Sequence, residues 1–169
     1  VVEVKNPRKR FLDLRLLEED INRRANGKVE VHSLAFADKK YVRKIKETAK
    51  FAKKVYRAVI KAEGGLTREK ISELEKVFKD RAIQQYTPTR VLHRRPDRLR
   101  VKKVYSVKAN MLSENMLEVI VECQGGLYVK ELVSGDDGRT RPSFSEVLGV
   151  NAKCLELDIL DVFESGERP

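Results

Sequence analysis

Residues 116 to 140, "MLEVIVECQGGLYVKELVSGDDGRT", change period half-way along. Leu117, Val119, Val121 and Cys123 alternate with Glu118, Ile120 and Glu122, the two-residue repeat of a strand that buries one face. Beyond Gly125 and Gly126 the apolar residues Val129, Leu132 and Val133 fall at helical spacing, which predicts a short helix over 127–134. Lys130 then stands at the joint where strand hands over to helix, outside that apolar stripe. A lysine there is either a solvated tip or a charge kept for a partner.

Working outward, the same two periods divide the rest of the chain. Upstream, residues 1–4 alternate as a short strand before the basic turn "NPRKR", which holds Arg8 and Arg10. Leu12, Leu16, Leu17 and Ile21 predict a helix that stops at Asn26-Gly27. Residues 29–37 read as a strand, Val42 and Ile45 lie on a short basic helix, and 51–60 returns to extended alternation. Thr67 is placed to cap a helix bearing Ile71, Leu74, Val77 and Phe78 on one face. "AIQQY", "TRVLH" and "RVKKVYSV" read as strand pieces with Pro88 and Pro96 at their ends. Residues 143–148 suit a short helix, and "CLELDILDVF" a strand that closes a sheet. This order predicts an α+β fold: a mixed, mainly antiparallel sheet with flanking helices.

A chain of 169 residues suits one domain, and no repeat or linker divides it. Lys and Arg outnumber Asp and Glu by 36 to 26, a net charge of +10 that suggests a polyanionic partner or, more blandly, a solubilising surface. Cys123 and Cys154 sit in apolar strand-like runs and read as buried free thiols of a reducing compartment, with no metal site expected. No apolar run approaches the roughly 18 residues of a membrane span, so a cytoplasmic protein is expected. "VVEVKNPRKR" reads as the middle of a strand, the mark of a fragment cut on its N-terminal side.

The positive charge is uneven. From Thr87 to Lys108 there are eight basic residues, Arg90, Arg94, Arg95, Arg98, Arg100, Lys102, Lys103 and Lys108, against one acid, Asp97. Strand alternation would set Arg98, Arg100 and Lys102 on one side as a positive rail, and binding of a nucleic acid there would be steeply salt-dependent. His93 could stack on a base or serve as an ordinary surface histidine.

Three stretches, in this order, resemble the pseudouridine synthases. "KKVYRAV", Lys53 to Val59, is similar to the Lys-x-Tyr-x-Ala strand that carries the active-site tyrosine. "CQGGLYVKELV", Cys123 to Val133, is similar to the Gly-x-Tyr-Ile-Arg-x-Leu motif, with lysine in place of arginine. "TPTRVLHRRPDRLRVKKVY", Thr87 to Tyr105, resembles the archaeal and eukaryotic tRNA synthase family that modifies adjacent uridines of the T-arm, at positions fifty-four and fifty-five. The likeness runs on through "SGDDGRTRPSFSEVLGVNAKCLELDILDV".

The resemblance implies the C-terminal part of a cofactor-free catalytic domain that isomerises uridine to pseudouridine in tRNA. The nucleophilic aspartate, in an Asp-x-Arg-x-Leu-Gly loop, and the RNA-binding region would both lie upstream. Asp13 in "LDLRLLEED" mimics that loop but lacks its glycine, and reads instead as an acid at a helix start. By the same resemblance Tyr56 stacks on the flipped base and relays a proton, Lys130 pairs with the incoming aspartate, and Leu157 floors the uracil pocket, with Leu148 as the alternative floor. Without that aspartate, Lys130 would hold an anion or turn to Asp136 or Asp137. Arg8, Arg10, Arg90, His93, Arg94, Arg95, Arg98 and Arg100 are the expected tRNA contacts. The competing readings are a non-catalytic basic RNA-binding module and a structural ribonucleoprotein component.

Overall fold

The computed structural model describes residues 1–9 and 11–163, and the side chains of 49–51 lie outside the description. The backbone groups into two compact units, residues 1–46 and 47–169.

The first unit holds helix α1, Leu14–Ala25, and most of α2, Lys39–Phe51. Asp13 caps α1 by accepting from the amides of Arg15 at 3.0 Å and Leu16 at 3.2 Å. Asn26, at φ 48°, ends it as the Asn-Gly signal predicts. The strands expected at 1–4 and 29–37 do not form. In the second segment, side chains of α1 take the backbone groups that a neighbouring strand would have taken. Asn22 donates to the Val31 carbonyl at 2.8 Å and accepts from its amide at 2.7 Å, and Glu18 accepts from the Leu34 amide at 3.0 Å.

The second unit carries a six-stranded sheet in the order β5-β2-β3-β4-β1-β6. Its strands are β1 Lys53–Ala62, β2 Arg81–Gln85, β3 Arg100–Ser113, β4 Met116–Gln124, β5 Thr140–Arg141 and β6 Ala152–Phe163. Every described pairing is antiparallel, in keeping with the expected α+β class. Helices α3 (Arg68–Val77), α4 (Val129–Ser134) and α5 (Phe144–Leu148) cover one face. Alternation along β4 puts Leu117, Val119, Val121 and Cys123 under them, fully buried with Ile60, Leu74 and Leu132. Phe78 meets Phe144 edge to face at 4.7 Å, and the Thr67 hydroxyl caps α3 as its sequence predicts.

The other face is ionic. Arg57 joins Glu118 at 2.6 Å, Asp158 at 3.2 Å and Glu156 at 3.3 Å, and Lys53 meets Glu122 at 2.7 Å. "TRVLH" is not a strand: Thr89–Val91 forms one 3-10 turn after Pro88, with the Thr89 amide bonded to Asp136 Oδ2 at 2.9 Å. None of the described helices is long and apolar enough to cross a membrane.

Candidate active site

The loop between β4 and α4 is held on both sides. Gly126 has φ +87°, and a Cβ there would come within 3.3 Å of Lys102 Nζ, so only glycine suits the turn. Lys102 itself donates to the Gly125 carbonyl at 2.8 Å. Gln85, 1% exposed, donates to the Tyr128 carbonyl at 3.1 Å, accepts from the Tyr128 amide at 2.8 Å and donates to Thr140 Oγ1 at 3.1 Å. That amide thus does the work of a strand partner for Tyr128, two residues before Lys130, and satisfies the Tyr128 backbone groups at the helix start.

Val129, Leu132 and Val133 point into the core as the helical spacing predicts, and Lys130 is exposed. It lines an open cleft of about 570 Å³ with Glu63, Arg90, Glu131, Asp137, Lys153 and Cys154 among the walls. Among the described residues Lys130 makes no ion pair or hydrogen bond. It does not turn to Asp136 or Asp137. Asp136 is occupied by the Thr89 amide and lies 3.9 Å from Arg139 Nε, while Gly135 at φ +83° carries the chain away from the helix end.

Tyr56 is half-buried on β1, opposite Val121 on β4 and Ile159 on β6. A bulge falls between Val55 and Tyr56, which re-aims the strand at that residue. Burial, and after it the neighbouring Cys123, raises the phenol above its ordinary value, so it stays protonated near neutrality. Leu157 pairs with Ala58, two residues along from Tyr56, and is also half-buried against the core. Leu148 is fully buried in α5, so of the two leucines only Leu157 presents surface. Tyr56, Leu157 and Lys130 therefore occupy neighbouring elements, since α4 packs on β6, although Tyr56 and Leu157 do not line the Lys130 cleft.

The basic segment is less of a rail than alternation suggests. Arg98 precedes β3, so only Arg100 and Lys102 share a strand face. Arg90 donates to Glu131 Oε1 at 2.6 Å, Arg95 to the Tyr128 hydroxyl at 3.0 Å, and Arg100 to Thr87 Oγ1 at 3.0 Å. His93, Arg94 and Arg98 are exposed beside them, Arg8 is exposed in the first unit, and Arg10 lies outside the described residues. Three residues that build the site carry no signal as single letters. Glu131 reads as one more helix acid, Gln85 as a strand residue, and Arg139 as part of a turn. Yet Arg139 donates to the Thr87 carbonyl at 3.0 Å and to Asp97 at 2.5 Å, and lies 5.3 Å from the Tyr86 ring. The sole hint was an acid, Glu131, placed directly beside the motif lysine.

Comparison with known proteins gives the same class. The chain superposes on a solved Cbf5-Nop10-Gar1 complex with a TM-score of 0.54 and 26% identity, over 69% of this chain and 33% of that one. An H/ACA RNP bound to a substrate RNA containing 2'-deoxyuridine shares the fold at a TM-score of 0.52 and 19% identity, over 90% and 45% of the two chains. In sequence the chain is 48% identical to the tRNA pseudouridine synthase Pus10 of Thermofilum pendens, over 98% of this chain and 37% of the relative. It is 44% identical to the Pus10 of Pyrococcus furiosus, over 99% and 42%. The fold is thus that of a pseudouridine synthase catalytic domain. The family described as Pus10, C-terminal, matches residues 1–163, and the chain belongs to it. It spans about two-fifths of the length of those relatives.

Proposed function

We propose that these residues form the C-terminal part of the catalytic domain of a cytoplasmic tRNA pseudouridine synthase that isomerises uridine in the T-arm. The observation that carries this reading is Lys130: an exposed ammonium at the start of α4, held there by buried contacts, in a cleft where it has no partner among the described residues. A carboxylate brought to it from the length of the protein outside residues 1–169 would be kept ionised, because an adjacent cation offsets the cost of desolvating it. That aspartate is the proposed nucleophile.

Making pseudouridine requires a uracil to leave its stack, detach from the sugar and rejoin through carbon, so the base is flipped out first. Tyr56 supplies a flat, protonated ring on which the flipped base rests, and its hydroxyl can pass a proton on but does not begin as phenolate. Leu157 supplies an apolar contact beside it on the next strand. Arg8, His93, Arg94 and Arg98 offer exposed groups for the tRNA backbone, with Arg10 assigned the same role from its sequence. No cofactor enters the reaction.

The test is Lys130→Met in the full-length protein, assayed by nucleoside mass spectrometry on an unmodified tRNA transcript. Turnover should fall by at least about a hundredfold, the scale for removing one preorganised electrostatic partner, with tRNA affinity held within a few-fold. Full turnover would refute the role of Lys130. Equal loss of affinity and turnover would move the weight to a basic RNA-binding module.

A further inference from the structure

Arg90 and Glu131 are tied to each other beside Lys130, and the tie has a use in the reaction. Glu131 follows Lys130 in the chain and lines the same cleft, yet it is 5% exposed while the lysine is open to solvent. Arg90 Nε meets one Glu131 oxygen at 2.6 Å and Nη2 meets the other at 3.5 Å. The guanidinium also lies 5.9 Å from the Tyr128 ring. We propose that Arg90 and Glu131 are a positioning pair for pseudouridine formation: Arg90 occupies the Glu131 carboxylate so that it cannot capture the neighbouring Lys130 in place of the nucleophilic aspartate. This rests on the reading of Lys130 given above.

A carboxylate this buried needs a counter-ion, and in a medium of reduced dielectric it takes the nearest cation. Without Arg90 the cations left lining the cleft are Lys130 and Lys153, and Lys130 is the one whose charge the reaction needs. Arginine suits the task better than lysine, since its planar fork offers a donor to each carboxylate oxygen and it is charged at any working pH. The Cys154 thiol reports that both charges act on one place. Burial raises it first, Lys130 then pulls it down and Glu131 pushes it up. The edge of Arg90 that points at Glu131 is also withdrawn from RNA phosphates, which separates Arg90 from Arg94 and Arg98.

The test is single-turnover pseudouridine formation at saturating full-length enzyme, with tRNA affinity measured over a salt series. Arg90→Ala should slow the saturated rate by about 10- to 100-fold, the scale of a misplaced catalytic group, while affinity and salt slope stay near the parent values. Arg90→Ala combined with Glu131→Gln should return the rate to that of Glu131→Gln alone, because an uncharged amide does not compete for the lysine. Arg94→Ala should instead lower the salt slope by about one. The proposal is overturned if Arg90→Ala lowers affinity and slope at an unchanged saturated rate, which makes Arg90 a phosphate contact. It is also overturned if the double variant is no faster than Arg90→Ala, which makes the pair a structural tie only. Lys130→Met in parallel separates the levels. An active Lys130→Met removes the reading of the lysine and this proposal with it. An inactive one beside a normal Arg90→Ala removes only the positioning pair.

Discussion

Asn22 in the first unit and Gln85 in the second use one device in two settings. Each side-chain amide donates to the carbonyl and accepts from the N–H of a single residue far along the chain, Val31 in one case and Tyr128 in the other. The Asn22 clasp is partly exposed and closes a loop with no sheet beneath it. The Gln85 clasp is buried, and its far end is the turn that delivers Lys130. A lost bond at Val31 is readily replaced by water, whereas the Gln85 amide is 1% exposed and water reaches it less freely, so the same chemistry carries a larger free energy.

The sharpest way to break the comparison is Gln85→Leu. It leaves the Tyr128 amide without its partner, while the Tyr128 carbonyl keeps the Leu132 N–H, and should destabilise the second unit by about 1–3 kcal/mol in denaturant unfolding. A loss below that of Asn22→Ala would mean the clasp is not what fixes the turn. A titration sharpens the contrast next. Cys123, beneath the sheet, has its thiol pushed up to about 12 by burial. Unfolding returns it to about 9. Between those values the unfolded chain holds fewer protons than the folded one, so stability falls as pH rises, by at most about 1.4 kcal/mol per unit. The raised Tyr56 phenol acts with the same sign. Cys123→Ala should flatten the decline seen by chemical denaturation from pH 9 upward, and an unchanged slope would put its origin elsewhere. The smallest effect belongs to Asn22→Ala, at about 1 kcal/mol or less, read as faster exchange of the Val31 amide with little change in the second unit.

These two clasps also mark where the sequence stops being readable. Periodicity located β4, α3 and α4 because each has one buried face, alternation alone located the largely exposed β6, and Thr67 and Asn26 announced their caps. The supposed strand at 29–37 has a plausible apolar pattern, but a strand needs a neighbour, and α1 side chains satisfied its backbone first. "TRVLH" failed for a related reason: Pro88 and the Asp136 carboxylate favour a tight turn over a ladder. At the site, the residue types of Tyr56 and Lys130 are legible through their motifs. Gln85, Glu131 and Arg139 are not, since their roles depend on partners 43, 41 and 42 residues distant. The basic segment shows the same limit. Counting charges found it, but only coordinates tell a guanidinium already holding a carboxylate from one left to solvent.

The outer strand has a consequence of a different order. β6 runs for 12 residues and, among the described residues, is paired along one side only. Leu155 and Leu160 are the extra residues of its two bulges and stand exposed, as do Ile159 and Val162. Such an edge invites a further strand, and the charged residues interspersed along it, Asp161 with the Arg57-paired Glu156 and Asp158, make it a poor template for a second copy. The strand that places Leu157 therefore also sets a colloidal limit. Concentrated salt, which screens charge, is the condition under which this edge is least protected against pairing with a second copy.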